Sequence, residues 1–425
     1  MKAKYTWFRQ RRYLHFDQPV GEKLASTVAM SPARVARHSF FPFLASYIIT
    51  SKVKYNSNCG SFKSEEKRRH ILYASHVDSH IYARYAEQLS SAYEKELTKR
   101  GLEDCVLAFR SLGKSNIHFA RDAFVAISSF RNCSVVALDV TKFFDRLDHD
   151  YLKKMWRVLM GTSSLPKDHY AVYRSLTKYA SVDKKDAFSA LGISPRNPRR
   201  GGRRKLCEVS VFRDKIRDGG LLETNKKRSG IPQGSPISAV LSNIYMLDFD
   251  RICKSLVDDV GGKYYRYCDD ILLITPNSNS NTIAKNVETE IKKIKLEVNT
   301  DKTEKRYFYS TPSGTKSDKP LQYLGFTFDG ERTLIRSASL SRYSRKMKRG
   351  VRLAKRTRDK HNKTRINAGQ ATRSIYKRQL YGRYSHLGNR NFVRYGYRAA
   401  EIMGSSDIGR QLKPLWKRLV DEIKD

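Results

Sequence analysis

The chain of 425 residues has no apolar run of 18 residues, and its start, Met1-Lys-Ala-Lys-Tyr-Thr-Trp7, has no apolar signal-peptide core. Those absences argue against a membrane span and a secretory route. Six cysteines, at 59, 105, 133, 207, 253 and 268, include no Cys-x-x-Cys pair, which argues against a zinc site and a disulfide framework. A soluble, reduced, cytoplasmic protein is expected. Acidic residues are scarce: 42 Asp and Glu against 83 Lys and Arg, a net charge of +41. A charge that size exceeds what solubility needs and implies a polyanionic partner, nucleic acid by default. The 25 tyrosines, interleaved with arginine as at Arg342-Tyr343 and Arg383-Tyr384, suit phosphate neutralisation with base stacking. Length and a 40% hydrophobic content allow two or three packed units.

Against that basic background, a few carboxylates stand out by position. Asp269 and Asp270 sit between two β-forming runs, Lys263-Tyr-Tyr-Arg-Tyr267 and Ile271-Leu-Leu-Ile-Thr275. The pattern predicts a hairpin with two anions at its tip. Adjacent anions repel, so the tip calls for a cation, and Mg²⁺ accepts one or two carboxylates while keeping positions for water and phosphates. Upstream, Val135 to Val140 reads as a buried strand with Asp139 near its end. A helix is expected after it, with Thr141 as N-cap and Phe144, Leu147, Tyr151, Leu152 and Met155 on one face. Between these segments, Gly230-Ile-Pro-Gln-Gly-Ser-Pro-Ile-Ser238 is a turn into a helix. Its glycines let backbone approach a ligand, and Gln233 can hydrogen-bond a base or sugar.

In this order the three segments resemble motifs A, B and C of reverse transcriptases. Asp139-Val-Thr-Lys-Phe-Phe144 matches A; Ser229-Gly-Ile-Pro-Gln-Gly-Ser-Pro236 with Leu241-Ser-Asn243 matches B; Tyr267-Cys-Asp-Asp270 matches C. Leu296-Glu-Val-Asn-Thr-Asp-Lys-Thr303 resembles motif D and Tyr323-Leu-Gly-Phe-Thr-Phe328 motif E. The resemblance implies an α+β right-hand polymerase with fingers, an antiparallel-sheet palm and a basic α-helical thumb. It also implies an RNA-directed DNA polymerase working by two-metal-ion nucleotidyl transfer with Mg²⁺, or Mn²⁺ in its place. Asp139, Asp269 and Asp270 would be catalytic. Asp139 and Asp269 would bridge the ions, the Val140 carbonyl would complete one shell, and Asp270 would be a weaker ligand fixing the priming site. Phe144, five residues after Asp139, stands where this family places its steric gate against a ribose 2′-hydroxyl. Lys302 would protonate or neutralise pyrophosphate. Arg69, in the pattern Arg-x-Ile, would grip the incoming triphosphate, with Arg68 as the alternative.

Around these motifs, residues 1–130 are expected to form an N-terminal region and fingers. Helical periodicity there runs through Ile81, Tyr85, Leu89, Tyr93 and Leu97, and the turn-rich segment Phe109–His118 could contact template. Residues 131–330 would be the palm. It contains a Gly/Arg-rich insertion at 184–228, read as a flexible basic loop or hairpin whose Arg203 and Arg204 touch phosphates. Ile283, Val287, Ile291 and Ile294 mark an amphipathic helix after motif C. From 331 to 425 there are 26 Lys and Arg against 7 Asp and Glu, with Tyr376, Leu380 and Tyr384 at helical spacing. A thumb bundle is expected, with Arg345, Lys348 and Arg352 on nucleic acid and no room left for an RNase H, integrase or nuclease domain.

The outer segments narrow the resemblance further. The chain lacks the cysteine-containing endonuclease of many group II intron enzymes, and the Val-Thr-Gly triplet and intact Asn-Ala-x-x-His of retron enzymes. Tyr13-Leu-His-Phe-Asp17, Tyr85-Ala-x-x-Leu89 with Tyr93-Glu94, Phe109-Arg110 and Gly113-Lys-Ser-Asn-Ile-His-Phe-Ala120 look most like bacterial defence-associated reverse transcriptases of the type 2 class. That class implies a noncoding RNA template, a cDNA product, dNTP substrates and a role in anti-phage defence. The competing readings are a template-independent DNA polymerase on the same fold, a group II intron or retron-type enzyme, and a non-catalytic RNA-binding protein. The presence of all three candidate carboxylates disfavours the last.

Overall fold

A computed structural model describes residues 3–56, 60–312 and 314–424. In chain order its strands are β1 (Phe43–Asn56), β2 (Ser61–Tyr73), β3 (Cys133–Asp139), β4 (Ala180–Asp183), β5 (Glu223–Thr224), β6 (Lys263–Tyr267), β7 (Asp270–Thr275), β8 (Glu304–Thr311), β9 (Gly314–Ser317), β10 (Leu321–Tyr323), β11 (Phe326–Phe328) and β12 (Thr333–Ile335). Among the described residues they form sheets ordered β2-β1-β4-β5, β6-β7-β3-β8-β9 and β10-β11-β12.

Strand β3 is the centre of the five-stranded sheet, antiparallel to both β7 and β8. Its unbroken apolar run follows from burial on both faces. Val136 and Leu138 join Ile271 and Leu273 in one core, shared with the helices Ser238–Tyr245, Leu247–Asp258 and Ser280–Lys293. Val135, Leu272, Ile274 and Phe308 face a second core, closed by the helix Asn116–Phe130 and the C-terminal helices. The amphipathic stripe after motif C is realised, with Ile283, Val287 and Ile291 buried and Ile294 buried just past the helix end.

Upstream, the helix His76–Arg100 buries Ile81, Tyr85, Leu89, Tyr93 and Leu97, as their spacing predicts. Asp17 holds its start: the His76 and Val77 amides donate to the two Asp17 oxygens, each at 2.9 Å. Downstream, the helix Ser337–Asn367 buries Tyr343, Met347 and Val351 and leaves Arg345, Lys348 and Arg352 exposed. Helices Lys377–Tyr384, Phe392–Met403 and Ser406–Lys424 complete the bundle. Gln411 ties it to the third sheet, its side-chain oxygen accepting from the Ile335 amide at 2.8 Å. The antiparallel central sheet and the basic helical bundle are consistent with the α+β right-hand polymerase fold expected from the sequence.

Three local expectations need correction. Thr141 caps no helix: Lys142 precedes the short helix Phe143–Arg146, the chain then breaks at Leu147, and Asp148 caps a second helix, His149–Met160. The break is bought by pairing, since the freed Leu147 carbonyl accepts from the Gly230 amide at 2.8 Å. Segment 184–228 is not a loose loop. It contains the helix Lys184–Ala190 and the π-helix Phe212–Asp218, and Ala187, Phe188, Leu206, Phe212 and Ile216 form a core with Leu14, Phe16 and Leu44. Tyr376 lies exposed ahead of its helix, while Leu380 and Tyr384 are buried. The cysteines among the described residues are free, and Cys59 lies outside those residues.

Candidate active site

Strands β6 and β7 pair from Lys263↔Ile274 to Tyr267↔Asp270, so Cys268 and Asp269 form a two-residue tip. Cys268 has φ of +60°, the left-handed conformation that a type II′ hairpin requires at its first central position. Asp139 ends β3 directly opposite Asp270 on β7. Beyond β3, the Val140 amide donates to the Asp269 carbonyl at 3.0 Å. Three carboxylates separated by some 130 residues of sequence are thereby set on one sheet edge.

Motif D is stitched to the same edge. The Asn299 amide donates to the Asp139 carbonyl at 2.7 Å, and the Thr141 amide to the Glu297 carbonyl at 2.8 Å. The short helix Thr300–Lys302 that follows places Lys302 Nζ 2.5 Å from Asp139 Oδ2. Burial, then Asp269 and Asp139, push the Asp270 carboxyl up to about 7, against the opposing pull of Lys302 and Arg336. Like charges face one another across a strand pair here, an arrangement that is destabilising unless a cation neutralises it.

The donors available to a metal are hard oxygens, the kind Mg²⁺ takes. As the side chains stand, no three His, Cys, Asp or Glu among the described residues are gathered into a metal cage. The Lys302 ammonium holds one Asp139 oxygen instead. The residues fit the ion by chemistry, since Asp139, Asp269 and Asp270 offer carboxylate oxygens and Lys302 holds only one of the two on Asp139.

Motif B docks between motif A and β2. The Ile231 amide donates to the Phe144 carbonyl at 3.0 Å, and the Leu72 amide of β2 donates to the Gln233 carbonyl at 2.9 Å. Phe144 is half-buried, whereas Phe143 is buried at 3% exposure. A Cβ on Gly234 would meet Ile71 Cγ2 at 3.0 Å. Side chains alternate along a strand, so Arg69 shares the Ile71 face turned to motif B, while Arg68 and His70 take the other. Arg68 pairs with Glu66 at 3.5 Å and His70 stacks on Tyr47.

The other candidates are not brought to this site. Arg203 donates to the Leu206 carbonyl at 3.0 Å inside the packed 184–228 segment, and Arg204 is exposed beside it. Lys348 lies 3.7 Å from Glu422 on the last helix, and Arg345 and Arg352 flank it on the exposed face. Arg110, in the segment expected at template, is instead a buried strut whose side chain is 3% exposed, pairing with Glu94 at 2.8 Å. Sequence reasoning missed Arg266 and Asp250, and gave Asn243 of motif B no role. These form a fully buried polar cluster behind the Cys268–Asp269 tip, with Arg266 Nη2 at 2.6 Å from Asp250 Oδ2. The available signal was an arginine in the middle of a strand that reads as buried.

A family model for reverse transcriptase (RNA-dependent DNA polymerase) matches residues 88–328. Solved structures similar to the chain include apo telomerase from Candida tropicalis truncated from its C-terminal domain, with 11% identity, 75% of this chain and 61% of that chain covered, and a TM-score of 0.40. Telomerase from Candida albicans in complex with a fragment of telomeric RNA has 13% identity, 96% and 66% coverage, and a TM-score of 0.38. The RNA-dependent RNA polymerase of a human picobirnavirus has 10% identity, 68% and 43% coverage, and a TM-score of 0.37. The chain spans about three fifths of the length of the first of these telomerases. Among curated protein sequences none matches this chain.

Proposed function

The chain belongs to the reverse transcriptase (RNA-dependent DNA polymerase) family, and we propose on that premise that it copies RNA into DNA at the edge formed by β3, β6 and β7. The observation that carries the reading is the register of Asp139 opposite Asp270, with Asp269 on the adjoining tip. Two divalent cations, Mg²⁺ or Mn²⁺, would supply charge neutralisation at the attacking and leaving oxygens. Asp139 and Asp269, with the Val140 carbonyl, would hold them, and Asp270 would fix the priming site. Lys302 would leave Asp139 and turn to the pyrophosphate. Phe144 would abut the sugar 2′ position, Gln233 would meet the base or sugar, and Arg69 would hold the triphosphate. Such catalysis is chiefly positioning and neutralisation.

The finer reading is a noncoding RNA template, cDNA product and role in anti-phage defence of the bacterial type 2 class. Its support is the resemblance of the outer segments. Tyr13–Asp17 and the helix from His76 form one unit, joined by the Asp17 cap and by the Tyr13–His76 ring stack at 5.3 Å. Arg203, Arg204, Arg345, Lys348 and Arg352 would hold the RNA.

Primer extension on an RNA template tests the activity, with Asp269→Ala/Asp270→Ala as the paired variant. Loss of synthesis with melting and RNA binding retained is expected. Synthesis by that variant near the wild-type rate would remove the carboxylates from the mechanism. Sequencing the copurifying RNA and DNA tests the finer reading: products unrelated to any bound RNA favour template-independent synthesis.

A further inference from the structure

We propose that Arg266 is a positioning residue for Asp269, holding the hairpin tip from behind while Asp250 and Asn243 hold Arg266; the proposal rests on the polymerase reading of this edge. Arg266 and Asp250 are both fully buried. Four contacts fix the guanidinium: Nε and Nη2 reach the two Asp250 oxygens at 2.6 Å each, and Nη1 reaches Asn243 Oδ1 and the Cys268 carbonyl at 3.2 Å each. Both anchors are themselves held. Tyr264 donates to Asp250 Oδ1 at 2.7 Å, and Asn243 Nδ2 donates to the Ala108 carbonyl at 2.9 Å. The main chain of Arg266 is pinned too, its amide donating to the Cys105 carbonyl at 2.8 Å and its carbonyl accepting from the Leu107 amide at 2.9 Å.

A buried ion pair contributes little stability that well-packed apolar residues would not, so its value lies elsewhere. Here it directs a donor at one atom. The Cys268 carbonyl belongs to the peptide group entering Asp269, and the Asp269 carbonyl, in the peptide group leaving it, accepts from Val140. Both peptide planes flanking Asp269 are thus clamped, one by Arg266 and the other by the residue after Asp139. The clamp also explains how Cys268, which is not glycine, keeps φ at +60°. A strained backbone persists only where its surroundings over-determine it.

The test compares full-length wild type, Asp250→Leu/Arg266→Met and Arg266→Lys. The double variant removes both charges together and leaves neither buried alone. Arg266→Lys keeps the charge for Asp250 but lacks the fork that also reaches Cys268. Each is measured for melting, kcat and KM for dNTP, and Mn²⁺ affinity by electron paramagnetic resonance without nucleotide. The expected result, read per folded molecule, is kcat lowered roughly ten- to a hundredfold with KM for dNTP little changed, and Mn²⁺ bound several-fold more weakly. A fall in folded fraction alone would lower apparent kcat without moving Mn²⁺ affinity per folded molecule, and would overturn the proposal. So would wild-type kcat and Mn²⁺ affinity in either folded variant. If the double variant fails to fold, Arg266→Lys decides the question. A wild type that extends no primer would sink the polymerase reading, and the Mn²⁺ comparison would still judge Arg266.

Discussion

Gly230→Ala probes the joint between motifs A and B. Gly230 has φ of +88°, and a Cβ there would lie 2.9 Å from the Asp145 carbonyl oxygen. Two costs add. An L-residue in left-handed backbone costs about 1–2 kcal/mol, and forcing a methyl against a fixed carbonyl costs about 1–2 kcal/mol more. The neighbourhood cannot give way cheaply. The Gly230 amide donates to Leu147, its carbonyl accepts from His149 Nε2 at 2.8 Å, and the next amide holds Phe144. Loss of about 2–4 kcal/mol in urea unfolding is expected, with a raised dNTP KM because Phe144 shifts with the turn. Gly113→Ala is the control. Its φ is +66° with nothing within 4 Å of an added Cβ, so it should lose only the backbone share. If Gly230→Ala proves no worse than Gly113→Ala in both unfolding and KM, the close approach has no energetic weight and the reasoning fails.

Phe144→Val should lower the dNTP-over-rNTP ratio of kcat/KM by about tenfold or more, because the barrier is steric; an unchanged ratio would make Phe144 a core residue. Phe143→Val should instead cost about 1–3 kcal/mol of stability with little change in sugar choice. His15 predicts acid sensitivity: burial lowers its pKa from 6.5 to about 4, against the opposing pull of Asp17 and of the Tyr73 carbonyl bonded to Nε2. The unfolded chain takes the proton first, so stability is full above pH 6.5 and falls as pH drops to about 4. The loss reaches up to about 3 kcal/mol, and His15→Asn should flatten that slope in urea unfolding at pH 7.5 and 4.5. Arg345→Gln/Lys348→Gln/Arg352→Gln should reduce the salt slope of RNA binding by about 2 units, at roughly 0.7 per lost phosphate contact. Lys348 would contribute least, being shared with Glu422; an unaltered slope in filter binding would leave these residues a solvated face.

The sequence was legible where chemistry and local geometry coincide. The Tyr267–Asp270 hairpin, the Gly230–Ser238 turn and the stripe Ile81 to Leu97 each declare themselves within about twenty residues, because turn residues and periodicity act at that range. What could not be read depends on partners far along the chain. Helical spacing ran straight from Phe144 to Met155, yet the backbone breaks at Leu147 because Gly230 and Arg228 offer bonds from across the fold. The Gly/Arg-rich composition at 184–228 resembles a solvated loop, yet Phe188 and Phe212 are buried in a core that draws Leu14, Phe16 and Leu44 from the distant N-terminal region. Arg110 and Arg266 look like any of the 83 basic residues until Glu94 and Asp250 are placed beside them.

Register explains why so much of the site rests on main-chain pairing. Strand β3 alternates between two cores, with Val136 and Leu138 facing one and Val135 facing the other. A slip of one residue against β7 would exchange those faces and set Leu138 or Val140 across from Asp270 in place of Asp139. The slip would expose or misplace apolar side chains along the whole strand, so core packing selects the register that the carboxylates need. The repulsion between Asp139 and Asp270 is then a cost carried by the buried sheet, which a local loop could escape by moving. Motifs B and D are joined by backbone bonds to the same frame, through Gly230, Ile231 and Asn299. Substitutions that spare those amides and the apolar alternation should leave the carboxylates in place even where neighbouring side chains change. Substitutions that shift the register should remove activity and fold together.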